Sequence, residues 1–471
     1  MGGLFGVVSR QECVSELFYG TDYHSHLGTE YGGIILRNGT GYDREIHSIR
    51  NIQFRSAFED DMGRMHGTQG IGVISDYEPQ PLFQETPLGR YGIVTVARIN
   101  NLDGLLKQAF QKRAHFASMS RGGVNPTDVV SHLINQGSSF EEGIRNAQES
   151  IEGSCSILLL TDKGVYAARD KLGRTSLTIG QKEGSYSVAS ETCAFPNTDY
   201  ELVRHLGPGE TVLITEDGVE QVTRPGNTLQ ICAFLWIYYG FPASGYEGIG
   251  VEVVRNRCGA ACARKDMADG NVQVDSVAGI PDSGTGHGIG YAEQAGIPYR
   301  RPFVKYNATW ARSFMPEEQR LRDLIAEMKL IPVRELIQGL RLLFCEDSIV
   351  RGTQLQDTVQ RLFDDGAKEV HMRPACPPLM YPCEFLNFSR TKTAMALAAR
   401  KAIRELEGRD DVDLSEYTQG GSPRYVEMVD RVRQTLRLTS LRYQTMADMV
   451  AAIGLPKERL CTHCWDASSH F

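Results

Sequence analysis

Two adjacent carboxylates, Glu346 and Asp347, directly follow a short apolar run at 342–345. Such a run is typical of a buried strand, and the apolar spacing over 355–363 predicts a helix behind it. The intervening loop, 348–353, would offer backbone N–H groups to a phosphate, and paired carboxylates can bind ribose hydroxyls or Mg²⁺. The stretch predicts a phosphorylated-sugar site, although acidic pairs at strand ends also occur on ordinary surfaces.

A second candidate loop follows another apolar-rich stretch, Val272–Ile280. Its residues are Pro281, Asp282, Ser283, Gly284 and Thr285. A small glycine-bearing turn after a strand can form a nest of N–H groups for an anion, and a helix is predicted over 288–295. A plain surface turn is the alternative. A place before a second parallel strand favours a ligand site at the carboxyl ends of both strands.

Cysteine spacing marks the end of the chain as a candidate metal site. Cys461 and Cys464 form a C-x-x-C pair, which suits a redox pair, half of a zinc site or two unrelated thiols. Cys258 and Cys262 lie one helical turn apart in an apolar helix and are predicted to be core. Five more are predicted to be buried small residues: Cys13, Cys155, Cys193, Cys345 and Cys376.

Length and composition limit the classes of protein to which the chain can belong. The chain has 471 residues, of which 41% are hydrophobic, enough for two or three domains with real cores. A net charge of −8 argues against a broad nucleic-acid or anionic-membrane surface. No apolar run is long enough to span a bilayer, and no signal peptide is evident. Eleven cysteines without an export signal predict reduced thiols in the cytoplasm.

Short alternating apolar runs dominate the first half of the chain. They predict strands at Gly32–Leu36, Gly70–Ile74, Gly92–Ala97, Ser156–Leu160, Gly164–Ala168, Tyr186–Ala189 and Thr211–Ile214. Helical spacing lies between them at Asp128–Asn135 and Phe140–Ile151. Because strands outnumber helices, this half is predicted to be an α+β domain. Towards the C-terminus, helices are predicted at 389–407, 425–438 and 446–453.

The octapeptide EDSIVRGT at 346–353 resembles the DDSIVRGT loop that binds phosphoribosylpyrophosphate (PRPP) in the glutamine PRPP amidotransferases. Its one departure is Glu346 in place of the first Asp. Further resemblances are RDKLGR at 169–174, SYSVASETCA at 185–194, LGPGE at 206–210, PDSG at 281–284 and FVK at 303–305. The resemblance covers nearly the whole chain, with the motifs in the same order.

This resemblance implies an α+β N-terminal-nucleophile domain, of the type 2 glutaminase kind, at 1–228. An α/β type I phosphoribosyltransferase domain would follow at 229–384, and a helical C-terminal extension with the C-x-x-C pair at 385–471. The implied PRPP-binding residues are Glu346, Asp347, Ser348, Ile349, Val350, Arg351, Gly352 and Thr353, with Pro281, Asp282, Ser283, Gly284 and Thr285 for the pyrophosphate. The implied Mg²⁺ ligands are Ser283, Glu346 and Asp347. The implied [4Fe–4S] ligands are Cys232, Cys383, Cys461 and Cys464, although four thiolates suit zinc as well.

The glutaminase positions depart from the family pattern. Gly2 replaces the nucleophilic Cys and has no side chain for covalent catalysis. Ser75 replaces the Arg that holds the glutamine carboxylate, and Ile99 stands where the oxyanion hole needs an amide donor. Pro126 replaces an Asp. Four altered elements predict a glutaminase fold without glutaminase activity.

Two functions fit these patterns. The first is a Mg²⁺-dependent phosphoribosyltransferase of purine nucleotide biosynthesis that uses ammonia, or an amine supplied by another protein, instead of glutamine. The second is a regulatory pseudoenzyme that binds PRPP or nucleotides and carries an iron–sulfur cluster. Lys305 of the catalytic flap is retained and favours the first, whereas the altered residues 306–308 favour the second. The resemblance further implies a cytoplasmic homo-oligomer, a dimer or tetramer, with purine nucleotides as possible ligands.

Overall fold

Two β-sheets lie face to face in the first part of the chain. The computed structural model describes residues 2–39, 41–270, 272–306, 330–387 and 393–468. The strands of this part are β1 (Gly3–Ser9), β2 (Tyr31–Asn38), β3 (Gly41–Ser48), β4 (Gln69–Ser75), β5 (Leu82–Thr86), β6 (Gly89–Ile99), β7 (Met119–Ser120), β8 (Gly123–Val124), β9 (Gly153–Leu160), β10 (Val165–Ala168), β11 (Thr178–Lys182), β12 (Ser185–Ala189), β13 (Glu201–His205), β14 (Thr211–Thr215) and β15 (Gly218–Thr223). One sheet has the order β13-β11-β12-β1-β4-β2-β3, and the other β15-β14-β10-β9-β6-β5.

Helices cover the outer faces of both sheets. They are α1 (Val14–Asp22), α2 (Phe54–Met62), α3 (Leu102–Gln111), α4 (Pro126–Ile134) and α5 (Phe140–Ser150). In β9, Leu158 and Leu160 pack between the two sheets, whereas Ile157 and Leu159 pack under α4 and α5. Because both faces are buried, the strand reads as a continuous apolar run. The predicted strands and helices of this half are confirmed, with ends shifted by a few residues.

The second part contains a four-stranded parallel sheet. Its strands and the smaller ones around it are β16 (Ile231–Cys232), β17 (Gly245–Tyr246), β18 (Ile249–Gly250), β19 (Ser276–Gly279), β20 (Phe303–Lys305), β21 (Leu330–Pro332), β22 (Arg341–Glu346), β23 (Glu369–Pro374), β24 (Ser440–Leu441) and β25 (Leu460–Cys461). The sheet order is β19-β22-β23-β24, with parallel pairing throughout. Gly279 at the end of β19 pairs with Cys345 at the end of β22. The two predicted loops therefore leave the sheet side by side.

Helices flank this sheet on both faces. They are α6 (Val251–Ala268), α7 (Thr285–Ala295), α8 (Thr353–Asp364), α9 (Ala398–Glu407), α10 (Ser415–Thr418), α11 (Pro423–Thr435), α12 (Met446–Ile453) and α13 (His463–Asp466). Leu343 and Cys345 pack against α6 and α7. Leu342 and Phe344 pack on the other face, with α8, α9 and α11. Within the described part, no helix is long and apolar enough to cross a membrane.

Three predictions about the second part need correction or stay open. The helix predicted at 389–407 is α-helical only from Ala398, because Leu397 is extended and the Ala398 N–H donates to the carbonyl of Val350 at 2.8 Å. Residues 389–392 lie outside the described residues, as does the altered flap from residue 307 onwards. The strand predicted at Val272–Ile280 is shorter, and β24 is an additional strand between the helices predicted at 425–438 and 446–453.

Candidate functional site

The two predicted loops meet at the carboxyl ends of β19 and β22. The Ser283 hydroxyl donates to Oε1 of Glu346 at 2.9 Å. Close packing at Gly284 permits this approach, because a Cβ there would lie 2.3 Å from the carbonyl oxygen of Cys345. The structure therefore brings the acidic pair and the PDSG turn into one site.

The acidic pair is buried. Glu346 is 9% exposed and Asp347 is 6% exposed. Burial, and after it the charge of Asp347, hold the pKa of Glu346 well above its usual range. The Ser348 hydroxyl donates to Oδ2 of Asp347 at 2.5 Å. These hard oxygen ligands fit Mg²⁺, and a bound cation would favour the ionised form of Glu346.

The loop behind the acidic pair presents its main chain. Gly352 has a φ of +78° at the N-cap of α8, a conformation that favours glycine. Within the described residues, the N–H groups of Ile349, Val350 and Gly352 donate to no acceptor. The Ile349 side chain is buried in the core, so this residue can offer a ligand only its backbone. Such a loop at a helix N-terminus fits an anion.

The remaining predicted residues surround these loops. Lys305 places Nζ 2.5 Å from Oδ2 of Asp282, and both side chains are exposed. An exposed pair of this kind contributes little stability, so the Lys305 ammonium can turn towards a ligand at low cost. Arg351 and Thr353 are exposed, whereas Pro281 and Thr285 are half-buried.

Four cysteines from separate segments converge beside this site. Strands β16 and β25 pair in parallel and set Cys232 opposite Cys461. The Cys464 thiol donates a hydrogen bond to Cys383. All four are between 6% and 9% exposed. A cavity of about 390 Å³ is lined by two of them, Cys383 and Cys464, together with Ser283, Asp347, Ser348 and Val350 of the loops.

Hydrogen bonds act on the thiol of Cys383, one of the candidate metal ligands. The hydrogen bond from Cys464, helped by the N–H groups of Phe385 and Leu386 and opposed by burial, lowers the pKa of Cys383 to about 7. The Leu386 N–H donates to Sγ of Cys383 at 3.3 Å. A thiolate that accepts N–H bonds is a suitable ligand for zinc or an iron–sulfur cluster.

The spacing of the four sulfur atoms bears on which metal fits. No three of these Sγ atoms lie within 4.8 Å of one another. In a tetrahedral zinc site, Zn–S bonds of 2.3 Å would place the sulfurs about 3.8 Å apart. Elsewhere in the described ranges, ligand atoms of Glu45, His47 and Asp61 do lie within 4.8 Å of one another. Asp61, however, already pairs with His47 and Arg64.

The altered glutaminase positions have structural roles. A Cβ at Gly2 would lie 2.5 Å from the carbonyl oxygen of Ile74, so a side chain has no room there. The Ser75 hydroxyl oxygen accepts the N–H groups of Tyr77 at 3.2 Å and Glu78 at 3.3 Å. Gly2 and Ser75 both line a small cavity of about 20 Å³. Ile99 pairs with Gly153 in a strand ladder, and Pro126 opens helix α4.

Replacing Gly2 by Cys should not create a glutaminase. The new Cβ would collide with the Ile74 carbonyl oxygen, and the carboxylate clamp and oxyanion-hole side chain would still be missing. Glutamate release from glutamine, measured with and without PRPP, should stay at background in the wild type and in Gly2→Cys. Turnover at about 1 s⁻¹ or more, an ordinary enzyme rate, would contradict this prediction in either protein.

Sequence reasoning missed several buried charges, and two of them lie beside these sites. Glu78 is 5% exposed, and burial raises its pKa from 4.5 to about 7; its carboxylate accepts hydrogen bonds from Gln80 at 3.1 Å and Thr127 at 3.5 Å. Two prolines, Pro79 and Pro81, follow it and are typical of an exposed turn, so the local sequence carries no signal for burial. Arg174 is 1% exposed, and its guanidinium carbon lies 3.4 Å from the ring centre of Phe385, next to the cysteines.

Several known proteins are similar to this chain. A family model described as a glutamine amidotransferase domain matches residues 69–197. The amidophosphoribosyltransferase of Mycobacterium tuberculosis is 30% identical over 484 residues, covering 98% of this chain and 85% of the relative. That of Bacillus subtilis is 30% identical over 416 residues, covering 86% of this chain and 85% of the relative.

A solved structure agrees over the whole molecule. The glutamine PRPP amidotransferase from B. subtilis complexed with ADP and GMP superposes with a TM-score of 0.83 at 26% identity, covering 99% of this chain and 96% of the other. The predicted fold class is confirmed: a glutamine amidotransferase domain is followed by a phosphoribosyltransferase domain. The chain belongs to the amidophosphoribosyltransferase family.

Proposed function

We propose that the protein is a Mg²⁺-dependent phosphoribosyltransferase of purine nucleotide biosynthesis that takes its nitrogen from ammonia or an amine rather than glutamine. The observation that carries this proposal is the hydrogen bond between Ser283 and Glu346, which joins both predicted PRPP loops in one site. The family relatives are named amidophosphoribosyltransferases, which supports the transfer. The lack of space at Gly2 for a nucleophile argues against glutamine as the nitrogen source.

The described residues suggest how PRPP would bind. Its 5′-phosphate would lie on the N–H groups of 348–353, where the dipole of α8 favours an anion. Glu346 and Asp347 would bind the ribose hydroxyls or, with Ser283, Mg²⁺. When bound, Mg²⁺ would neutralise the departing pyrophosphate. Lys305 lies beside the PDSG turn and would exchange its partner Asp282 for the pyrophosphate.

We further propose that Cys232, Cys383, Cys461 and Cys464 hold a [4Fe–4S] cluster. Four thiolates are its usual ligand set, and no three of the four sulfur atoms are as close together as a zinc site requires. The N–H bond to Cys383 also suits a cluster. Because all eleven cysteines are free thiols, we place the protein in a reducing cytoplasm.

Pyrophosphate release from PRPP with an ammonium salt as nitrogen source tests the proposal. Release should require Mg²⁺ and ammonia, and glutamine should not replace the ammonia. Tight binding of Mg²⁺-PRPP without any release would instead support the regulatory protein, for which the altered flap provides a reason. Absence of both release and binding at millimolar PRPP would end the PRPP assignment.

Replacing Asp347 by Asn should weaken Mg²⁺-PRPP binding at least tenfold. The change removes one charge from a site that faces a highly charged ligand, and hydrogen bonds to charged groups contribute about 1.5–3 kcal/mol each. Calorimetric titration with Mg²⁺-PRPP measures the effect. Asp357→Asn, on the exposed surface of α8, is the matched control and should bind as the wild type does. Equal affinities in all three proteins would exclude Asp347 from the site.

A further inference from the structure

A buried arginine of the first part of the chain contacts two cysteine-bearing segments of the second part. Arg174 is 1% exposed, and its guanidinium carbon lies 3.4 Å from the ring centre of Phe385. Phe385 comes shortly after Cys383 in the sequence. The carbonyl of Arg174 also accepts the Cys232 N–H at 3.1 Å. The side chain and the main chain of one residue therefore reach two of the segments that carry the candidate metal ligands.

A short loop fixes the position of this arginine. Asp170 is 2% exposed, and its carboxylate accepts the N–H groups of Leu172 at 3.2 Å and Arg174 at 3.0 Å. Gly173 permits the tight turn between them, since its φ of +64° favours glycine. The loop therefore presents the guanidinium of Arg174 from a defined position beside the cysteines.

The charge of Arg174 acts on the thiols next to it. Burial raises the pKa of Cys232 well above its usual range, and the guanidinium of Arg174 opposes that rise. Four thiolates around a [4Fe–4S] core or around a zinc ion would leave a net charge of about −2. Such a buried charge normally requires a partner. An arginine side chain supplies one, because it stays positively charged at any ordinary pH.

The other charged groups near the cysteines reach solvent. Arg98 acts on one of the thiols but is half-buried. Of the two carboxylates nearby, Glu384 is exposed, and Asp466 is half-buried and pairs with Lys457 at 2.6 Å. Solvent and salt screen charges of this kind. Among these groups Arg174 is the fully buried one, and its charge should have the strongest effect on a bound metal.

We propose that Arg174 is the buried counter-charge of a metal centre held by Cys232, Cys383, Cys461 and Cys464. This inference rests on the ligand set proposed above. Arg174 would be a positioning residue rather than a ligand, because a guanidinium has no lone pair to offer a metal. Through it, the first part of the chain would stabilise a metal that the second part binds.

A double-mutant cycle tests this role, with anaerobic urea unfolding as the measurement. The four proteins are the wild type, Arg174→Gln, Cys464→Ser without its metal, and the double variant. Arg174→Gln should lower the urea midpoint of the metal-containing protein, but it should leave the midpoint of the Cys464→Ser protein unchanged or raise it. An equal decrease in both backgrounds would show a structural role and overturn the proposal. Failure of Arg174→Gln to fold in either background would overturn it as well.

Metal retention is the second measurement. Arg174→Gln should lose its metal to a chelator at least tenfold faster than the wild type. Arg174→Lys keeps the charge and should restore slow loss, and Lys171→Met, at an exposed position of the same loop, is the control. With a cluster bound, the midpoint potential of its one-electron reduction should also fall in Arg174→Gln, because a nearby cation favours the more negative reduced state. Equal rates and potentials in Arg174→Gln and Arg174→Lys would contradict a charge effect.

Metal analysis separates this inference from the proposed cluster. Iron and sulfide in the wild type, without any coupling to Arg174 in the cycle, would retain the cluster and refute the counter-charge. Zinc in place of iron, with the coupling present, would refute the cluster and retain the counter-charge. A wild type that contains no metal would refute both.

Discussion

Replacing Cys464 by Ser should remove the metal from the protein entirely. Anaerobically purified wild type should contain about four iron and four sulfide per chain, the content of one cluster. A serine hydroxyl is a poor ligand for such a cluster, which prefers soft thiolates. Three buried thiols would then remain without their fourth partner. Because metal-binding free energy is also folding free energy, the segment around β25 and α13 should lose about 4 kcal/mol or more.

Iron and sulfide analysis, with urea unfolding followed by tryptophan fluorescence, measures both effects. Trp465 is a useful reporter, since it stacks on Phe234 with ring centres 4.7 Å apart, next to the cysteines. Cys258→Ser is the matched control, because this thiol is fully buried in the same core but belongs to no ligand set. It should retain the iron. Stoichiometric zinc without iron would refute the cluster and leave the four-thiolate site standing.

Local sequence signals predicted much of the fold. Helix α12 begins and ends where its pattern indicated: Thr445 caps the N-terminus by accepting the Asp448 N–H, and Gly454 ends it at a φ of +87°. The buried strands were found because both of their faces are apolar. In each case the deciding interactions lie within a few residues of the element itself.

Tertiary contacts decided the elements that were missed. Alanine-rich sequence predicts a helix from 389 onwards, but the Ala398 N–H bonds to Val350 in the candidate PRPP loop, and α9 begins there. Strand β24 has two residues, Ser440 and Leu441, too few to form a pattern. It exists because residues 371 and 372 of the sheet edge pair with it.

The candidate site shows the same contrast between features that local sequence indicates and features that depend on tertiary contacts. The candidate PRPP loop could be proposed because it is one contiguous motif, whereas the four cysteines lie in separate segments and could be proposed together only through the family resemblance. Glu78 could not, since its burial depends on Thr127, which is 49 residues away in sequence. The sequence also does not show whether the candidate PRPP loop and the cysteines are neighbours, because the cavity that residues of both line forms only in the folded chain.

Replacing Glu78 by Gln should stabilise the protein at neutral pH. Burial raises the pKa of this carboxyl from 4.5 to about 7 in the folded state, so the folded protein binds its proton more tightly than the unfolded chain. The associated stability is fully present below pH 4.5 and is lost as the pH rises towards 7. At 1.36 kcal/mol per unit of pKa shift, the loss amounts to about 3 kcal/mol at pH 8. Glutamine keeps the hydrogen bonds from Gln80 and Thr127 without the charge.

Urea unfolding of both proteins between pH 4.5 and 8 measures this difference. The advantage of Glu78→Gln should be small at pH 4.5, grow as the pH increases and become constant above pH 7. Other carboxyl groups titrate equally in both proteins and cancel in the comparison. Glu183→Gln, at an exposed position, should show no such trend. A variant less stable than the wild type at pH 8 would contradict this prediction, because it would mean that the Glu78 charge is compensated in the folded protein.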